Sequence, residues 1–287
     1  MDDINSKLQE KSHSGASLNV IKNGDEYYVK KIVVGDVSRN FKAINKQKYF
    51  KTIVSSNYTI QSISVEEVDN NDELMFTMPY IQGVCGELYA IYGSRTSAIA
   101  LRESLNCYFM ERLSKSTETS ISSSVIKDKI SGIEIPFEQK ELKEILDYSK
   151  KYIENNCPEQ LYIPICECHG DLTLSNMIVS ENKLFLFDFL DSFIESPLQD
   201  AAKLIQDIKY GWSFRKMPSS IKIKGDIFCK AAYPNFLDTL NRLYEKELKI
   251  LELVTLLRII PYLKQDDKIT SSWVVNAIRK YFDGAFK

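Results

Sequence analysis

Long apolar runs are missing from this chain of 287 residues. Nothing approaches the roughly 18 consecutive apolar residues that cross a bilayer, so no membrane span is expected. The first twenty residues, MDDINSKLQEKSHSGASLNV, hold no apolar core, which argues against a secretory leader and for a cytoplasmic location. Histidine is scarce, with only His13 and His169. Paired CxxC spacing is absent from the six cysteines, and only Cys166, Cys168 and His169 fall together. Neither a disulfide framework nor a structural zinc is expected, and the thiols read as buried apolar side chains. An excess of one charge is lacking too. Lys and Arg number 37 against 39 Asp and Glu, a formal net charge of −2 that leaves no broad footprint for nucleic acid. What remains is 44% hydrophobic and 26% charged, the balance of an ordinary folded domain or pair of lobes.

The first eighty residues read mainly as strands. Leu18 to Lys22 and Glu26 to Val33 flank Asn23-Gly24-Asp25, and Asn-Gly supplies the positive φ angles of a tight hairpin. Ser38 is expected to cap a helix running to about Ile53, with Phe41, Ile44 and Phe50 as its apolar positions. Thr59 to Val65 and Leu74 to Met78 read as a second hairpin turning at Asp69-Asn70-Asn71-Asp72. Pro79-Tyr80-Ile81-Gln82-Gly83 marks a boundary between a lobe over 1–80 and a second over 81–287. Beyond it, helices are expected over Ser94 to Leu113 and Glu138 to Asn155, with the Ser/Thr-rich stretch Ser114 to Ser124 as a loop between them. Short strands return at Ile163 to Cys168, Asn176 to Val179 and Leu184 to Phe187, and helices dominate from Leu198 onward. The fold class is α+β: a small β-rich N-lobe and a larger, mainly helical C-lobe.

The segment richest in chemistry is His169-Gly170-Asp171-Leu172-Thr173-Leu174-Ser175-Asn176, followed by Asp188. Phosphoryl transfer needs a carboxylate to orient a hydroxyl and take its proton, and oxygen ligands for the metal that neutralises the β- and γ-phosphates. An Asp, an amide five residues later and a second Asp beyond a short hairpin put all three on one wall of a cleft. Asp171 is the expected base, and Asn176 and Asp188 are the expected ligands of Mg2+.

This pattern resembles the signature of the aminoglycoside phosphotransferase and choline kinase-like family, small-molecule relatives of the protein kinases. The chain departs from it at Thr173-Leu174, where His-Pro is frequent, and at Leu190, where Gly is frequent. The resemblance implies a bilobal protein-kinase-like fold and a nucleotide donor, ATP or GTP. It implies a lysine on the strand Tyr27-Tyr28-Val29-Lys30, with Lys30 chosen over Lys31 because its parity matches Tyr28 and Ile32. An exposed pair of strand lysines is the alternative. Ser14-Gly15-Ala16-Ser17 would close over the phosphates. Met78 and Tyr80, in the inter-lobe linker, would offer backbone groups to the purine. The helix after the lysine strand carries no acid from Ser38 to Ile53, so Gln47 stands in as the partner of the lysine. Asp200 either fixes the catalytic loop or caps a helix. Asp191 either extends the site or is a solvated acid. Trp212 and Arg215 either line an acceptor pocket, the arginine meeting a phosphate or carboxylate, or pack in the core.

The function these readings favour is phosphorylation of a small alcohol, a sugar or sugar derivative first. An aminoglycoside would need acids around it, for which Asp191, Glu195, Asp266 and Asp267 are candidates, and choline an aromatic cage. A nucleotide-binding pseudokinase is the other class, favoured by the missing helix acid alone.

Overall fold

Asn23-Gly24 does form the expected hairpin in the computed structural model, which describes residues 17–33, 35–69 and 74–282. Strands β1 (Ser17–Asn23) and β2 (Glu26–Ile32) pair antiparallel from Asn23↔Glu26 to Ser17↔Ile32. Gly24 takes the positive φ (61°) that a residue with a Cβ tolerates poorly. Helix α1 (Val37–Tyr49) follows. Its cap is Asp36 rather than Ser38: the Asp36 carboxylate accepts from Arg39 N at 3.1 Å, and Ser38 sits inside the first turn. The helix stops at Tyr49, so Phe50 is its C-cap and Ile53 lies in strand β3 (Ile53–Val54). Ile44 and Gln47 are buried, whereas Phe41 is exposed.

The chain then does something its pattern does not announce. Strand β4 (Thr59–Ser62), read as a partner of Leu74–Met78, instead runs parallel to β11 (Lys183–Leu186) more than a hundred residues away. The pairs Ile60↔Leu184 and Ser62↔Leu186 sink Ile60 and Leu184 into the main core. Two sheets result. One has the order β1-β2-β6-β5, with β5 (Glu67–Asp69) and β6 (Met75–Pro79); the other runs β3-β4-β11-β10-β7, with β7 (Val84–Cys85) and β10 (Met177–Ser180). A small core of Ile44, Ile63, Val65, Leu74, Phe76, Met78 and Phe185 lies between the first sheet and α1.

The rest is mainly helical. Helices α2 (Gly86–Tyr92), α3 (Arg95–Ser114), α4 (Ser124–Ser131) and α5 (Lys140–Asn156) precede the segment His169 to Asn176. After it come α6 (Pro197–Ile208), α7 (Ser219–Ala232), α8 (Phe236–Leu243), α9 (Glu245–Leu257) and α10 (Lys268–Tyr281). The Ser/Thr-rich stretch is not a loop: β8 (Thr117–Ser122) pairs along its length with β9 (Gln160–Ile165). Most of β8 is exposed, so it shows no hydrophobic alternation, and its partner lies some forty residues on. Helix α6 is the centre of the lobe, with Leu198, Ala201, Ala202, Leu204 and Ile205 buried. No helix among the described residues is long and apolar enough to cross a membrane.

Candidate active site

The loop between β9 and β10 is shaped by what lies beneath it. Gly170 has φ +86°, and a Cβ there would meet Leu190 O at 2.7 Å and crowd Ser192 Oγ, so only glycine fits. His169 is buried and stacked on Phe189, with centroids 4.2 Å apart. Its Nδ1 accepts from Asp171 N at 3.2 Å, which leaves Nε2–H to donate to Phe187 O at 3.0 Å. Burial pulls its pKa down and keeps this tautomer neutral.

Helix α6 supplies the floor. Asp200, wholly buried, accepts from His169 N (2.8 Å), Gly170 N (2.7 Å) and Tyr108 Oη–H (2.5 Å). It is the loop anchor, not a cap, because Ser196 caps α6. Asp207, equally buried, accepts from Leu174 N (2.6 Å), Ser213 N (2.8 Å) and Ser213 Oγ (2.9 Å). Burial raises the pKa of both carboxyls, and these donors counter it. Between them Lys203 sends Nζ to Asp171 Oδ1 at 3.0 Å. Neither Asp207 nor Lys203 stands out in the sequence by motif. The signal was spacing: positions 200, 203 and 207 share one face of a helix whose other faces are apolar.

The three candidate residues meet on this floor. Asn176 Nδ2 donates to Asp171 O (2.9 Å) and Asp171 Oδ2 (3.0 Å). Burial, the largest influence on Asp171, pushes its pKa up, but the Lys203 charge and hydrogen bond, with His169 and Asn176, outweigh it and hold the carboxyl below its ordinary range. Asp188 ends the β10–β11 hairpin, tied to Asn176 through Phe187 N→Asn176 O at 3.2 Å. It takes a left-handed backbone, φ 61°, a region that aspartate tolerates better than most residues.

Gln47 binds that backbone. Its Oε1 accepts from Asp188 N at 3.0 Å, while Nε2 donates to Ile63 O at 2.9 Å. The expectation that Gln47 holds the strand lysine is therefore corrected: an amide, donor and acceptor at once, bridges two backbone groups that a carboxylate could not. The lysine is corrected as well. Lys31, not Lys30, faces the cleft, with Nζ 2.5 Å from Asp188 Oδ1. Val29 and Val33 share its parity and pack on the small core, so apolar valines, not Tyr28 and Ile32, mark the inward side. A cavity of about 80 Å³ lies against Lys31, Gln47, Phe76 and Asp188.

The remaining residues fall as follows. Ser14 and Gly15 lie outside the described residues, and Ser17 begins β1. Met78 is buried in the small core. The Tyr80 N–H is already given to Tyr27 O at 2.8 Å, so it is not a free purine donor. Asp191 meets Arg39, whose Nε is 3.6 Å from Oδ2 and whose Nη2 donates to Asp191 O at 3.3 Å. Arg215 lies 3.5 Å over the Trp212 ring, donates to Trp212 O (2.9 Å) and Thr270 Oγ1 (3.4 Å), and Trp212 meets Trp273 edge-on. This pair is joined to itself and to α10 rather than to Asp171. Glu195 is engaged by Lys46 Nζ at 2.8 Å, and Asp267 caps α10 and pairs with Lys216 at 2.6 Å.

A β-rich lobe, a helical lobe and a loop of this shape between them make a protein-kinase-like fold. Solved structures of that fold superpose over almost the whole chain. A thermostable mutant of aminoglycoside phosphotransferase APH(4)-Ia, in a ternary complex with AMP-PNP and hygromycin B, gives a TM-score of 0.57 at 13% identity, covering 100% of this chain and 99% of that one. Aminoglycoside phosphotransferase APH(4)-Ia itself gives 0.55 at 12%, with coverages of 100% and 99%. The GDP complex of aminoglycoside 2'-phosphotransferase-IIIa gives 0.53 at 11%, with 99% and 97%. The sequence matches the model of the phosphotransferase enzyme family (APH) over residues 134–248, which contain the segment His169 to Asn176, the β10–β11 hairpin and α6. No curated protein matches the chain significantly.

Proposed function

We propose that the protein transfers the γ-phosphoryl group of ATP or GTP to a hydroxyl of a small molecule. One observation carries the reading: Asp171, Asn176 and Asp188 share one wall, opposite Lys31 and above a helix that fixes their loop. The Asp171 carboxylate takes the proton as the acceptor oxygen bonds to the γ-phosphorus, and the bridging oxygen leaves on the nucleoside diphosphate. Lys31, drawn between Asp188 and the cleft, is the cation for the nucleotide phosphates.

The donor set also suits Mg2+. Asn176 has committed Nδ2 to Asp171, which leaves Oδ1 available, and Asp188 has a second carboxylate oxygen beyond the one on Lys31. Both are the oxygen ligands that magnesium takes. When bound, the ion would neutralise charge on the β- and γ-phosphates.

Nucleotides in the superposed structures, AMP-PNP and GDP, support the donor class. A sugar or sugar derivative is the acceptor we favour. The acids that a polycationic aminoglycoside would need are largely spent: Glu195 on Lys46, Asp267 on Lys216 and Asp191 on Arg39. The lysine still has no acid on helix α1, the one feature that favours a pseudokinase, but Lys31 is paired with Asp188 instead. Coupled detection of ADP or GDP release with magnesium and an acceptor panel tests the proposal. Asp171→Asn should lower kcat by about 10²–10⁴-fold while nucleotide binding persists. Undiminished turnover in that variant would refute it.

A further inference from the structure

The loop after Asp188, whose Leu190 and Ser192 pack on Gly170 next to Asp171, carries a group of cations that phosphoryl donation does not use. Phe193, in the loop between Asp188 and α6, carries two of them on its ring: Arg258 Cζ lies 5.2 Å from the centroid and Lys129 Nζ 5.9 Å. Arg258 closes α9, Lys129 belongs to α4, and Arg39 of α1 meets Asp191, two residues before Phe193. The group is near enough to interact throughout. Burial first, then the charges of Arg258 and Arg39, pulls the Lys129 pKa down. Burial and Arg39 pull Arg258 down, while Tyr262 and Asp171 act the other way.

The charges do not balance. Asp171 is matched by Lys203 and Asp191 by Arg39. Arg258 and Lys129 have no ion pair among the described residues, yet they are held together on one ring and partly desolvated. Such a gathering costs free energy that an anion between the cations recovers. A guanidinium also presents a planar fork that fits the paired oxygens of phosphate or carboxylate.

We propose that Arg258 and Lys129 bind a negatively charged group on the acceptor, so that the substrate is a phosphorylated or carboxylated hydroxy compound. The inference deepens the phosphotransferase reading and rests on it for the word acceptor. It also moves the acceptor's cation from Arg215, which is spent on Trp212 and Thr270, to the side of Asp171.

The test separates binding from transfer. The full chain carrying Asp171→Asn, saturated with AMP-PNP and magnesium, is titrated calorimetrically with glucose, glucose 1-phosphate, glucose 6-phosphate, gluconate and kanamycin. The anionic sugars should bind at least tenfold more tightly than glucose, and kanamycin least well. The phosphates and gluconate distinguish a phosphate-bearing from a carboxylate-bearing substrate. Adding Arg258→Met or Lys129→Met should each remove most of the preference, and Arg258→Lys should keep part of it, with AMP-PNP affinity unchanged in all three. No anion preference in the starting protein, including no binding by any sugar, overturns the proposal. So does a preference that survives both methionine variants, or a loss of AMP-PNP affinity, which would assign the cations to the nucleotide. Tight anion binding with no phosphoryl transfer by the wild-type chain would leave the anion site standing and refute the phosphotransferase reading instead.

Discussion

Replacing Lys203 by methionine keeps most of a side chain's bulk and removes one charge from beneath Asp171. At the observed 3.0 Å, two unit charges in an effective dielectric of about 20 attract by about 5.5 kcal/mol. That figure is an upper bound, because the two side chains keep 18% and 26% of their exposure and water screens them. The net worth of a hydrogen bond to a charged group is about 1.5–3 kcal/mol, and about 2 kcal/mol is the value to carry forward. If that energy holds the carboxylate in its productive orientation, kcat falls about 30-fold, since each 1.4 kcal/mol is about tenfold. A second signature is independent of rate. Asp171 is held low because Lys203, with lesser help from His169 and Asn176, outweighs burial. Without Lys203 burial prevails, the carboxyl pKa rises, and the acidic limb of the kcat/KM profile moves toward neutral pH. Steady-state kinetics from pH 5 to 9, with thermal melting as a check on folding, reads both effects, and Lys203→Arg should restore part of each. An unshifted acidic limb with kcat within twofold of wild type would refute the assignment of Lys203 as a positioning residue.

Other perturbations read other contacts. Lys31→Ala should lower kcat/KM for nucleotide by about 10–10²-fold, a loss of about 1.4–3 kcal/mol, while Lys30→Ala stays within about twofold; the reverse order would return the cleft to Lys30. Gln47→Leu leaves Asp188 N and Ile63 O without partners and should cost about 2–3 kcal/mol by chemical denaturation, with kcat reduced more than nucleotide affinity. Asp267 caps α10 and its pKa is lowered to about 2; burial, the largest influence, opposes this, but Lys216 and the Thr270 bonds prevail. Its stabilising contribution is present above the unfolded value of about 3.9 and is lost as pH falls toward the folded value. Asp267→Ala should thus cost about 1–2 kcal/mol at pH 6, with the gap in Tm to wild type narrowing below pH 4.

What the chain displayed openly was local. Asn23-Gly24 announced its hairpin, the helix expected from Ser94 to Leu113 formed as α3, and the segment from His169 to Asn176 formed a loop. Parity misled where bulk was mistaken for inwardness, so that Tyr28 and Ile32 outvoted Val29 and Val33 and Lys30 stood in for Lys31. The hidden features are those whose cause is distant in sequence. The partner of β4 lies beyond residue 180, and that of the Ser/Thr-rich β8 beyond 159. Gln47 acts on a backbone N–H of residue 188, which no pattern around position 47 reveals. Asp200, Lys203 and Asp207 were legible as a charged face only once α6 was known to lie under the loop.

The strand β4 bears on more than sheet order. It belongs to the chain between α1 and β6, yet it is woven into the sheet of the opposite lobe alongside β11, which leads to Asp188. From α1, Lys46 reaches Glu195 and Gln47 reaches the Asp188 backbone, so the same crossing is sutured at three places. In enzymes controlled by the swing of such a helix, activity waits on a partner or a modification that brings the helix home. Here the helix is already home and anchored to the far side of the cleft. For the phosphotransferase proposed above, transfer is expected without a prior activating event.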